Sequence, residues 1–268
     1  MVPNIIHTII KYDGNKFHEY NNFKDYINYD NIKNIIEPFS GTASISFRIW
    51  LEYGDKFNYY INDKNKDIIN YFKFHKETNL NEFIKKFNID KQQYNTQQKF
   101  KELYDEWCIN KDTYKYIILN KLSFMSLKML RICNDGRAYQ TYDTTSRINK
   151  YQIRFQEFLN SPNVFISNED WKECYNKFKD DNTNLIIFDP PYIKSNNNNY
   201  NDDCRGLDVY DELNDIKKNK ALSYFILEDI KETKELFKEW NMLSRYQKTY
   251  TKTKRKTFHI IYNSSSVE

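Results

Sequence analysis

Apolar positions change their spacing along this chain, and the changes divide it. Short unbroken apolar runs bounded by turn formers or acids occur at Asn34-Ile35-Ile36-Glu37, Tyr59-Tyr60-Ile61-Asn62-Asp63, Val164-Phe165-Ile166-Ser167, Asn184-Leu185-Ile186-Ile187-Phe188 and Leu222-Ser223-Tyr224-Phe225-Ile226-Leu227. Such runs predict strands covered on both faces. After most of them the spacing lengthens to three and four: up to Tyr53, over 64–71, up to Phe178 and over 231–240. These stretches predict helices. Residues 245–262 read as a terminal hairpin with a basic turn, Lys252-Thr253-Lys254-Arg255-Lys256. That tip suits phosphate contact and plain solvent exposure equally well.

The alternation breaks over 74–150, which carries helical spacing and no parallel-sheet strand. The chain therefore reads as an α/β domain, residues 1–73 and 151–268, interrupted by a helical insert, 74–150. Asn134-Asp135-Gly136-Arg137-Ala138-Tyr139-Gln140 inside the insert resembles a hairpin with an Asp-Gly turn.

Composition narrows the function classes. With 268 residues, 40% of them hydrophobic and 17% aromatic, the chain can bury one large core, much of it Tyr and Phe. A net charge of +4 permits a nucleic-acid partner without demanding one. Cys108, Cys133, Cys174 and Cys204 are scattered and only four His occur, so neither a metal site nor a disulfide framework is indicated. Reduced thiols in a cytoplasmic setting are the expectation. The first residues lack the basic segment, long apolar stretch and small-residue cleavage site expected of a signal peptide, and no apolar run approaches membrane length. The sequence sets no oligomeric state.

The chemistry concentrates where the fourth strand stops, at Asp189-Pro190-Pro191-Tyr192. Proline cannot donate to a ladder, so the strand must end there in a stiff turn. The carboxyl ends of strands are where open α/β sheets bind ligands. Asp189 and the Pro190 carbonyl can accept the N–H protons of an exocyclic base amine and localise its lone pair, and Tyr192 can stack on an extruded base. A second cluster follows the first strand: Glu37-Pro38-Phe39-Ser40-Gly41-Thr42-Ala43. A strand, a Gly turn and a helix make a nucleotide-binding unit. With one glycine and an acid before it, this unit does not suit a pyrophosphate, which disfavours a dehydrogenase.

Asp-Pro-Pro-Tyr resembles the catalytic motif of the DNA amino-methyltransferases, and the order of the other motifs is similar to that of Dam-type adenine-N6 enzymes of the D12 class. Tyr12, Gly14 and Lys16 match their aromatic-x-Gly-Gly-Lys opening, with Asn15 in place of the second glycine. Glu37, Phe39 and Gly41 match the first motif, with Ala43 replacing its last glycine. Asp63 lies roughly 20 residues after the Gly turn, where a carboxylate grips ribose hydroxyls; an Asn-Asp turn would look the same. Asp170-Trp171 fits a contact to the cofactor adenine and fits equally a capped helix with a buried indole.

The resemblance implies a Rossmann-like seven-stranded methyltransferase sheet with an inserted target-recognition domain. It implies S-adenosylmethionine as donor, S-adenosylhomocysteine as product, no metal, and N6 of a flipped adenine in double-stranded DNA as acceptor, as in restriction–modification. Lys121, Arg131, Arg137, Tyr139 and Arg147 would then meet DNA, although each also fits a solvated charged face. The Asn-rich stretch 195–201 suits a loop over the site. Adenine in RNA, cytosine N4, and a non-catalytic DNA-binding relative are the competing readings. Asp at the first motif position leans to adenine, and the intact motif argues against decay.

Overall fold

The computed structural model describes residues 7–10, 12, 15–94, 96–122, 148–193, 207–249 and 256–264. In chain order the elements are β1 (Asn34–Glu37), α1 (Ser44–Tyr53), β2 (Asn58–Asn62), α2 (Lys66–Glu77), α3 (Leu80–Gln93), α4 (Gln97–Asn110), α5 (Thr113–Leu122), α6 (Lys150–Asn160), β3 (Val164–Ser167), α7 (Trp171–Asn176), β4 (Asn184–Phe188), α8 (Leu213–Lys218), β5 (Leu222–Glu228), α9 (Lys231–Leu236), β6 (Asn241–Thr249) and β7 (Lys256–Asn263). Two compact units result: Met1–Asn15 with Asn65–Ser161, and Lys16–Lys64 with Pro162–Glu268.

The second unit holds a seven-stranded sheet in the order β3-β2-β1-β4-β5-β7-β6. Strands β1 to β5 run parallel to one another, and β7 is antiparallel to both β5 and β6. Every residue of β4 is buried, as a central strand covered on both faces requires. On one face Phe188 stacks on Phe225 with centroids 4.4 Å apart, inside a core that includes Ile36, Ile186, Phe237 and Trp240. Burying each such ring stabilises the fold by about 1.5–3 kcal/mol. The chain builds outward from β1 to β3, then restarts beside β1 with β4. That reversal beside β1 and β4 is the switch point of the sheet, and open α/β sheets bind ligands at the carboxyl ends of strands there.

The turn from β1 into α1 needs two left-handed residues. Gly41 has φ 50° and Ala43 has φ 51°. Glycine adopts this geometry freely, whereas alanine is strained by about 1–2 kcal/mol.

The helical unit contains α2 to α6. Side chains at the N-termini satisfy exposed amides: Asn65, Asn79 and Thr96 accept from the first turns of α2, α3 and α4. Asn149 and Gln152 form a reciprocal capping box on α6. Phe72, Phe87, Phe100, Phe155 and Phe158 are fully buried. His75 is buried with them. Its Nε2 faces the Gln152 carbonyl at 3.1 Å, so Nε2 carries the proton and Nδ1 accepts from Tyr71 at 3.1 Å. Burial holds its pKa down at about 4.

The expected helix over 231–240 stops at Leu236. Phe237 and Trp240 follow it through tight turns and still enter the core, so the apolar spacing runs on past the end of the helix. Likewise α7 ends at Asn176 and Phe178 lies in a turn. Helix α8 was not expected: it buries only Leu213 and Ile216, too few positions for a period to show. Cys108 is exposed and Cys174 buried, both free thiols. Among the described residues no helix is long and apolar enough to cross a membrane.

Candidate active site

Asp189 follows the last residue of β4. Pro190 and Pro191 are buried and turn the chain, and the Tyr210 hydroxyl donates to the Pro191 carbonyl at 3.2 Å. Tyr192 comes next, half-buried. Lys16 reaches this turn from the start of the sheet unit. Its Nζ pairs with Asp189 Oδ2 and lies 5.3 Å from the centre of the Tyr192 ring. Its backbone N–H donates to Ser44 Oγ at 2.9 Å, fixing it to the first residue of α1. Lys16 is only 4% exposed. Burial alone would lower its pKa, but the Asp189 carboxylate, with Glu19 behind it, holds it above the ordinary lysine value. A cation in this position balances the carboxylate and presents charge to the face of an aromatic ring.

Glu37 ends β1 and is buried. Its Oε1 accepts the Ser46 N–H at 2.8 Å, at the positive end of α1. Burial raises its pKa to about 7; the Ser46 hydrogen bonds oppose the shift, Asp189 adds to it and Lys16 subtracts. Asp63 follows β2, and its Oδ2 accepts the Gly41 N–H at 2.8 Å, which holds the Gly turn against the neighbouring strand. Strands β2, β1 and β4 are adjacent in that order, so Asp63, Glu37 and Asp189 share one edge of the sheet.

The residue that ties this edge together is Asn62, fully buried at the end of β2. Its Nδ2 donates to the carbonyls of Pro38 at 3.0 Å and Glu169 at 3.1 Å. Its Oδ1 accepts from Ser167 Oγ and Glu169 N, both at 2.9 Å. One amide thereby joins the ends of β1, β2 and β3. An Asn beside Asp63 was visible in the sequence, yet its burial was not.

The remaining expectations divide. Asp170 caps α7 through Lys172 N at 3.0 Å and pairs with Lys64 at 3.1 Å. Trp171 is 2% exposed, donates to Asp208 Oδ1 at 3.0 Å and stacks on Phe39 at 6.0 Å. The capped helix with a buried indole is therefore present, and Phe39 is held against it. Tyr12 is half-buried and belongs to the helical unit. Lys121 sits in the last turn of α5. Gly14, Arg131, Arg137, Tyr139, Arg147, the Asn-rich loop and the tip of the terminal hairpin lie outside the described residues.

Chemically, this edge offers three carboxylates, a buried cation already matched to one of them, and an aromatic ring beside the pair. An anionic phosphate would meet like charge from Glu37 and Asp63. A small ligand carrying positive charge fits the donor set, and an exocyclic amine can give its protons to Asp189.

Residues 12–257 match the family model of the D12 class N6 adenine-specific DNA methyltransferase. No curated protein matches the chain.

Proposed function

The chain belongs to the D12 class of N6 adenine-specific DNA methyltransferases, and we propose that the edge formed by Glu37, Asp63 and Asp189 carries out its reaction in the Dam-type manner. S-adenosylmethionine, when bound, supplies an electrophilic methyl group and leaves as S-adenosylhomocysteine. The acceptor is N6 of an adenine flipped from double-stranded DNA, an extrusion that costs a few kcal/mol.

Glu37 and Asp63 favour the cationic donor electrostatically, and Asp63 accepts a ribose hydroxyl while holding Gly41. Phe39, backed by the buried Trp171, supplies apolar surface for the donor's adenine, with Asp170 beside them. Lys16 completes the donor site. Asp189 Oδ and the Pro190 carbonyl accept hydrogen bonds from the two N6–H groups, which turns the lone pair out of the ring and toward the methyl group; as the N–C bond forms and the donor's C–S bond breaks, N6 releases one of these protons to solvent. Pro191 keeps that carbonyl rigid. Tyr192 stacks on the purine. Most of the acceleration comes from alignment and from this fixed polar environment. In the helical unit, Lys121, Arg131, Arg137, Tyr139 and Arg147 bind the duplex through phosphates and base edges.

The observation that carries this reading is the buried Lys16–Asp189 pair beside Tyr192, on the same sheet edge as Glu37 and Asp63. Calorimetric titration with S-adenosylmethionine tests the donor site. Binding should occur and should weaken at least about tenfold in Asp63→Ala, the loss expected for a hydrogen bond to a charged group. No binding by the unaltered chain, or none lost in the variant, would overturn the assignment.

A further inference from the structure

Behind Tyr192 stands the terminal hairpin. His259 on β7 and Tyr246 on β6 are directly opposite each other in the antiparallel register. Opposed residues on one face of such a pair pack together, and these two rings stack at 5.5 Å and 21°. His259 is 1% exposed. Its Nδ1 lies 3.1 Å from the Tyr192 hydroxyl, and the two rings meet edge to face at 5.5 Å and 66°. The Tyr192 ring is thus held by the hydroxyl contact to His259, with the Lys16 ammonium 5.3 Å from its centre. The Tyr246 hydroxyl is buried and has no hydrogen-bond partner among the described residues. That cost is tolerated where the ring's position matters.

We infer that His259 is a positioning residue: it fixes the Tyr192 ring in the orientation that stacks on the extruded adenine, and Tyr246 holds His259 in place. The inference rests on the functional reading above. A tyrosine at the end of a proline turn has two free side-chain torsions. A hydrogen bond with a buried partner removes that freedom before the base arrives, so less is lost when the base stacks.

The test is a double-mutant cycle on methyl transfer from tritiated S-adenosylmethionine to unmethylated genomic DNA. His259→Phe keeps an aromatic ring and deletes the nitrogen. It should lower kcat by about two- to tenfold, the range one neutral hydrogen bond accounts for. In a Tyr192→Phe background the same change should do less than half as much, because the hydroxyl it served is gone. His259→Asn, whose amide can occupy the Nδ1 position, should restore most of the loss. Affinity for S-adenosylmethionine should be unchanged throughout. Equal losses in both backgrounds, a parallel fall in donor affinity, or an unaffected His259→Phe would overturn this inference alone. An unaltered chain that transfers no methyl group would overturn the functional reading and this inference with it.

Discussion

The helical unit and the sheet unit both bury polar groups among aromatic rings, and they treat them in opposite ways. In the helical unit the polar groups are neutral and close on one another: His75 with Tyr71 and Gln152, and the Gln156 amide with the carbonyls of His75 and Thr78, both at 2.7 Å. In the sheet unit they carry charge and collect at one edge: Lys16 with Asp189, and Glu37 at the N-terminus of α1. A closed neutral network holds a core together. Charge gathered at the ends of parallel strands is costly to bury, and under the proposed function a ligand is what that cost serves.

The contrast sharpens most at Lys16. Lys16→Met leaves the Asp189 carboxylate without its counter-charge and should destabilise the sheet unit by about 3 kcal/mol, read from urea denaturation. By the same pairing Asp189→Ala strands a buried ammonium and should destabilise the sheet unit as well. A Lys16→Met variant as stable as the unaltered chain would break the comparison.

The two units should also respond to pH in opposite directions. Unfolded His75 takes up a proton near pH 6.5 and folded His75 only near 4, so the helical unit loses stability as pH falls through that window. Unfolded Glu37 releases its proton near pH 4.5 and folded Glu37 near 7, so the sheet unit gains stability as pH falls through its window. Each response is about 3 kcal/mol when complete. Hydrogen exchange at pH 5 and 8, corrected for intrinsic rates, should show peptides from 66–77 and 150–160 less protected at the lower pH and those from 34–53 more protected. Glu37→Gln should flatten the second response by stabilising the sheet unit at pH 8, while weakening donor binding. Matching shifts in both sets of peptides would contradict the assignment of these groups.

The smallest effect is at Ala43. Ala43→Gly relieves a left-handed alanine and should stabilise the turn into α1 by about 1 kcal/mol. A destabilised variant would show that the buried methyl outweighs the backbone strain.

Much of the sheet was legible because parallel strands buried on both faces write themselves as Ile-Ile or Leu-Ile-Ile-Phe. The acids were legible because each stands at the end of such a run. Asn62 and His259 were not, since their roles depend on which strands lie side by side. His259 lies 67 residues after Tyr192 and meets it only because β7 inserts between β5 and β6. Helix α8 was hidden by its length, and the ends of α7 and α9 by aromatic residues that continue the period after the helix has stopped.

The central claim is that Asp189 orients the amine that receives the methyl group, and Asp189→Asn tests it most directly. The amide keeps the shape and an acceptor for Lys16 but loses the carboxylate charge. Nucleoside mass spectrometry of DNA from cells expressing each form should find N6-methyladenine with the unaltered chain, and at least about a hundredfold less with the variant. N6-methyladenine at equal levels in both would contradict the account.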